Sequence, residues 1–214
     1  MSFKKILSIE TSSTICGITI TSGHDFLAMN EQLSPRKHVE ILPDLFKKTL
    51  VESGLTLNNI DAIAISIGPG SFTGLRIGLG FAKGLAYSHD LPIIPIPTFL
   101  SLAYGIKEKK PENGILHSHG DKVFYQEFNW ENNIPSLQSK PKIYQLGDIT
   151  TKKNIGFQSN CGPILSPEII IEESQPSSLN IGLLANHKYD ELINFRPYQI
   201  VPNYVAKFET KPIA

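Results

Sequence analysis

Apolar and polar positions change period several times along the chain, and each change predicts an element. Residues 61–67, Asp-Ala-Ile-Ala-Ile-Ser-Ile, form a short isoleucine-rich run of the kind that suits a strand buried on both faces. The run leads into Gly68-Pro69-Gly70-Ser71-Phe72-Thr73-Gly74. Small residues then recur at helical spacing, predicting a helix over 72–87 with Ser71 or Thr73 as its cap. Gly74, Gly78, Ala82 and Ala86 share one face of that helix, and Gly80, Gly84 and Ser88 make a second. A glycine inside a helix costs about 1 kcal/mol against alanine, so four of them call for a very close neighbour. The chain is organised around this strand, loop and helix.

Before it, residues 4–10, 15–21 and 26–33 read as three strands joined by short polar turns, an antiparallel meander. Ser34-Pro35-Arg36 looks like a helix start, with Ser34 as its cap and Pro35 at the first position, and Val39, Leu42, Leu45, Phe46, Thr49 and Leu50 follow at helical spacing up to Gly54. Pro43 inside that helix is an anomaly. After the organising stretch, the proline-punctuated residues 92–97 allow only a short strand, and Thr98 reads as the cap of a helix to about Lys107. The charged Lys107-Glu108-Lys109-Lys110-Pro111 marks a domain boundary, giving domains 1–108 and 109–214. Beyond it, residues 114–119 and 122–130 read as strands joined at Gly120-Asp121. Residues 132–141 read as a loop. Short strands are expected near 142–146, 155–159 and 169–173, a helix over 179–187, and an extended tail over 198–208.

Composition narrows the class. Twenty basic and twenty acidic residues cancel, which argues against a strong independent nucleic-acid binder but leaves open work on RNA within a complex. Cys16 and Cys161 form no disulfide framework, and the N-terminus enters a strand pattern directly, so a cytoplasmic protein without signal peptide or membrane span is expected.

Two stretches carry candidate chemistry. The glycine loop is either a tight strand-to-helix connection or an anion site built on a helix N-terminus. It lacks the Lys-Ser/Thr ending of a Walker A loop and the glycine spacing of a dinucleotide fingerprint. The turn Glu10-Thr11-Ser12-Ser13 is either a turn or a phosphate and magnesium-water site. Glu10, Thr11, Ser12, Ser13, Gly68, Gly70, Ser71, Thr73 and Gly74 are therefore the nucleotide or phosphate candidates, with ATP and magnesium as the cofactor this would imply. His38, His117, His119 and Asp121 invite a metal reading, but a lone helix histidine lacks further ligands and turn chemistry explains Asp121.

The element order, three antiparallel strands feeding βα units, predicts an α/β fold with a mixed sheet flanked by helices. It resembles the ribonuclease-H-like half-domain of the actin, sugar-kinase and Hsp70 superfamily, in which two halves clamp ATP. The second domain here looks smaller and contracted. The run Gly68-Pro69-Gly70-Ser71-Phe72-Thr73-Gly74-Leu75-Arg76-Ile77-Gly78 resembles the signature of the TsaB family, also called YeaZ. Ile6-Leu7-Ser8-Ile9-Glu10-Thr11-Ser12-Ser13 is similar to the family's opening strand and turn, with Glu10 where aspartate is commoner. Arg36-Lys37-His38-Val39-Glu40-Ile41-Leu42-Pro43 resembles its first-helix motif, and the likeness runs on through Thr98-Phe99-Leu100-Ser101-Leu102-Ala103. The second half matches poorly, apart from a faint likeness at Pro202-Asn203-Tyr204-Val205-Ala206-Lys207.

The resemblance implies a non-catalytic subunit of the machinery that makes threonylcarbamoyladenosine in tRNA. It implies pairing with the catalytic paralogue TsaD, joined by the ATPase TsaE, with tRNA met only through the complex. TsaD-like chains carry a pair of metal-ligating histidines on a helix, where this chain offers only His38. The expected partner interface is Val39, Leu42, Phe46, Gly74, Arg76, Gly78, Ala82 and Ala86, or the same helices self-pairing in a homodimer. Which small-residue face meets the partner is open at this point. The alternative is a nucleotide-dependent transferase or, on older naming, a glycoprotease.

Overall fold

Alternation of large and small side chains sets the architecture. The computed structural model describes residues 3–205. The first sheet contains β1 (Lys5–Glu10), β2 (Ile15–Ser22), β3 (Asp25–Leu33), β4 (Ala62–Ser66) and β5 (Ile93–Ile96) in the order β3-β2-β1-β4-β5. β1 to β3 are antiparallel; β4 lies parallel to β1 and β5 parallel to β4. Leu7, Ile9, Ile63 and Ile65 point to one face, where α1 (His38–Ser53) and α2 (Phe72–His89) cover them with Leu42, Leu45, Leu79, Ala82 and Ala86. The other face carries smaller groups, Ala62, Ala64, Ser8 and Thr19. That leaves room for α3 (Thr98–Gly105) and α5 (Ser178–His187) to lie close to the sheet. A Cβ on Gly182 would sit 2.8 Å from Ser8 Oγ and from Thr21 Cγ2, so α5 approaches the strands at backbone distance.

The second sheet is built from β6 (Asn113–His119), β7 (Lys122–Glu131), β8 (Ile134–Leu137), β9 (Lys142–Gln145) and β10 (Gln158–Ser159), in the order β10-β6-β7-β8 with β9 also on β7. α4 (Leu146–Lys152) and α6 (Tyr189–Leu192) complete the helices among the described residues. The two sheets share a core: Phe99 of α3 packs with Phe128 and Phe157, and the same cluster takes in Ile181 and Leu184 of α5. No helix among the described residues is long and apolar enough to cross a membrane.

Several expectations are corrected. Ser34 does not cap α1. Arg36 adopts φ 64°, so residues 34–37 form a tight turn closed by Lys37 N–H to Ser34 O at 3.2 Å, and the helix begins at His38. α1 then runs on through Pro43. Thr98 is not a cap either; its Oγ1 accepts the Gly68 N–H at 3.1 Å, tying α3 to the glycine loop. Residues 132–141 are not all loop. Asn132 and Asn133 both have positive φ, 48° and 62°, which makes a two-residue hairpin turn and turns residues 134–137 back as β8. Leu146 starts α4 instead of ending a strand, because its N–H is drawn to Asp121 O at 2.8 Å. In 155–159 only Gln158–Ser159 pairs, and in 169–173 only Glu173 makes a bridge. The expected tail folds back along α2 as far as Val205, after a short turn at Pro197–Gln199; residues 206–208 of it lie outside the described residues.

Candidate functional site

The glycine loop and the β1 turn meet directly. Ser71 caps α2, its Oγ accepting the Gly74 N–H at 3.2 Å, and Thr73 plays no capping part. Ser71 N–H donates to Ser12 O at 2.7 Å. A Cβ on Gly70 would overlap Ser12 O, and one on Gly74 would overlap Thr11 O. One on Gly78 would overlap Thr11 Oγ1. Gly70 and Gly74 are therefore there for the backbone of residues 11–12, and Gly78 for the Thr11 side chain. The nucleotide candidates are brought together, with Gly70, Ser71 and Gly74 packed directly on Thr11 and Ser12. Gly68, with φ 106°, is hemmed by Leu75 and Asn203, while Ser12, Ser13, Gly70, Ser71, Thr73 and Gly74 line the neighbouring cleft.

Glu10 lies beneath this joint, fully buried. Its Oε1 accepts the Ser12 N–H, and Oε2 makes no well-formed hydrogen bond. Burial raises its pKa from 4.5 to about 7; the Ser12 and Ser66 groups offset part of that rise and the Glu31 charge adds to it. A carboxyl so placed is held by the fold and is not offered to a ligand.

The same geometry decides which face of α2 is free. Gly74, Gly78, Ala82 and Ala86 are buried against β1 and β4, so the expected partner contacts at these four positions, and at Leu42 of α1, are corrected: all five sit inside the chain's own core. Arg76 is exposed, but its Nε donates to Tyr204 Oη at 2.9 Å and its guanidinium lies 3.5 Å from the Phe72 ring centre. Lys83 Nζ donates to Tyr198 O at 3.2 Å, and Asn203 N–H to Ile67 O at 2.7 Å. Residues 198–204 thus strap one flank of α2. Gly80 and Gly84 look outward with nothing within 4 Å of a Cβ built on either. On the other flank Phe81 packs edge-on to Phe46 of α1 at 5.5 Å; Val39 of α1 is exposed, and Tyr87 of α2 is 93 % exposed. The 80/84 ridge was visible in the sequence spacing; that it faces out could not be read, because the choice is made by Thr11 in the turn after β1, far away along the chain.

The histidines do not gather into a metal centre. His38 is buried, with Nε2 3.2 Å from Ile15 O. His117 Nε2 lies 3.0 Å from Gly120 O and His119 Nδ1 3.1 Å from Ser118 Oγ. Among the described residues no group of three or more His, Cys, Asp or Glu side chains is placed to hold a metal. A cleft of ≈ 1740 Å³ lies between the two sheets, with the glycine loop and Arg36 on one side and the β6–β7 hairpin on the other. Sequence reasoning missed it, since its walls come from both halves of the chain.

Comparison with known proteins follows this geometry. The family model of TsaD, tRNA N6-adenosine threonylcarbamoyltransferase, matches residues 29–126, which include both α1 and α2. The tRNA threonylcarbamoyladenosine biosynthesis protein TsaB of Haemophilus influenzae is 40% identical over 111 residues, 52% of this chain and 47% of that protein. Its namesake in Escherichia coli is 33% identical over 132 residues, 60% of this chain and 57% of that protein. The chain spans about half the length of the curated relatives it matches. YeaZ from Pseudomonas aeruginosa superposes with a TM-score of 0.79 at 21% identity, over 94% of this chain and 99% of that one. That likeness shows the fold, an α/β arrangement of two mixed sheets flanked by helices.

Proposed function

We propose, since the chain belongs to the TsaB (YeaZ) family, that it is a docking and activating subunit in the biosynthesis of threonylcarbamoyladenosine in tRNA. It pairs with a TsaD-like chain, which transfers the threonylcarbamoyl group to the adenosine 3′ of the anticodon, and a TsaE-like ATPase joins the pair. The observation that carries the pairing is the outward ridge of α2. Gly80 and Gly84 give a partner helix backbone-distance access, and Phe81, Phe46, Val39 and Tyr87 border it with apolar surface. The TsaD family match spans both helices, so a TsaD-like partner carries a counterpart of the same pair, and two such pairs can close on each other. In the partner's absence the ridge serves a second copy of the chain.

The test is binding to a TsaD-like chain by calorimetry, with melting temperature measured in parallel. Gly80→Leu and Gly84→Leu are expected to weaken binding at least tenfold while melting with the wild type, because each adds a side chain into open space. Gly78→Leu, on the inner face, is expected to lower the melting temperature sharply by striking Thr11. Unchanged binding by both ridge variants would overturn the reading.

A further inference from the structure

The cleft between the sheets holds a set of groups that the docking reading does not use. Arg36, from the turn before α1, and Lys122, at the start of β7, line it from its two sides. Both side chains are exposed, and among the described residues neither has an ionic or hydrogen-bonded side-chain partner. His119 adds a third polar group beside Lys122, and Glu173 is the acidic side chain in the lining. At the floor, Phe72 and Tyr204 lie 5.1 Å apart between ring centres. Arg76 fixes them from behind, stacked on Phe72 and hydrogen-bonded to Tyr204. Tyr204 keeps 43 % of its surface exposed, and both rings line the cleft.

We propose that this cleft receives a single-stranded segment of RNA, with backbone phosphates on Arg36 and Lys122 and a base stacked on Tyr204. Three features favour a strand over a free nucleotide. At ≈ 1740 Å³ the cleft exceeds the roughly 300–1,000 Å³ of small-ligand pockets. Its two unpaired cations sit on exposed rims, where a backbone passes, and not in a closed pocket. The N–H groups of Ser71 and Gly74 are already taken, by Ser12 O and Ser71 Oγ, so the glycine loop does not offer them to a nucleotide's phosphates. An aromatic platform beside cations is the general means of holding an unpaired strand without reading its sequence. With a formal net charge of zero, attraction is local to these few groups, so the contact is weak and supports a larger assembly.

The test uses the full chain and a fluorescently labelled single-stranded RNA oligonucleotide of about ten residues, long enough to pass several phosphates through the cleft, followed by anisotropy at several salt concentrations. Saturable binding is expected, with log K falling against log salt at a slope of about −1.4 for two phosphate-paired cations. Lys122→Glu and Arg36→Glu are each expected to weaken it at least tenfold. Tyr204→Ala should weaken it roughly tenfold and Tyr204→Phe little, since stacking needs only the ring. Gly80→Leu lies outside the cleft and should bind RNA as the wild type does, so this inference and the docking reading fail separately. Absence of binding, equal binding by the Lys122 and Arg36 variants, or displacement of the RNA by ADP at lower concentration than by unlabelled oligonucleotide would overturn the inference.

Discussion

Glu10, Gly17 and Glu31 form a row across three strands, and the two carboxylates in it behave differently. Glu10 pairs with Gly17 and Gly17 with Glu31 in the strand register. A side chain at position 17 would strike the Glu31 side chain, so the glycine is what lets Glu31 lie across β2. Glu31 is met by donors: Ser178 N–H, Ser178 Oγ at 2.7 Å and Ser177 Oγ at 3.2 Å. Glu10 lies deeper and has no cationic partner, and its pKa of about 7 follows from burial first. Because the folded value lies above the ordinary 4.5, the unfolded chain ionises first as pH rises. The stabilisation from neutral Glu10 is whole below about pH 4.5, declines through about 7 and is gone above it; a shift of this size corresponds to roughly 3 kcal/mol. Comparing melting temperatures of wild type and Glu10→Gln across pH checks this. The wild type should lose ground to the variant between pH 4.5 and 7 and keep a constant gap above; a gap independent of pH refutes it. None of this was legible in the sequence, where Glu10 reads as a turn carboxylate open to magnesium.

Among elements, α2 was the most legible, while α5 was legible as a helix but not in where it docks. The period of small residues in α2 predicted the helix, its Ser71 cap and two faces of close approach. What it could not give was the inward direction, since both faces satisfy the same spacing. α5 was predicted as a helix over 179–187, but its docking was invisible because the partners lie on β1, β2 and β3. Its N-terminus is held by Glu31, whose carboxylate takes the first orphan N–H and two serine hydroxyls, while Ser177 Oγ accepts the Leu179 N–H at 3.1 Å. Glu31→Ala removes a charged acceptor and leaves those donors without it. A loss of about 1–3 kcal/mol is expected in denaturant unfolding. An unchanged midpoint would mean that water replaces the carboxylate at no cost. The hairpin at Asn132-Asn133 was missed for a simpler reason: asparagine was read as loop composition and not as a residue that tolerates positive φ.

At the scale of the whole molecule, the first sheet's strands, its helices and the glycine loop could be read from residues 1–105, because local periodicity decides them. The second half was read less well, since β8, β10 and α4 depend on partners far along the chain. The shared cluster of Phe99, Phe128, Phe157, Ile181 and Leu184 joins both sheets, and the polar ties of Ser178 to Ser8 and Thr19 join the first sheet to the C-terminal third. A single cooperative transition is therefore expected in calorimetry, with the calorimetric and van 't Hoff enthalpies equal. Two resolved transitions would show that the halves melt apart.

The narrow-sided face of the first sheet has a consequence for how the protein is made. Translation delivers all five strands and three helices of that sheet before residues 178–187 exist, so the part of that face that α5 covers, including Ser8 and Thr19, waits uncovered while about seventy further residues are added, a matter of several seconds at typical elongation rates. The nascent sheet is half-clad through that interval, and ribosome-associated holding factors have their natural target in the groove that α5 will later fill.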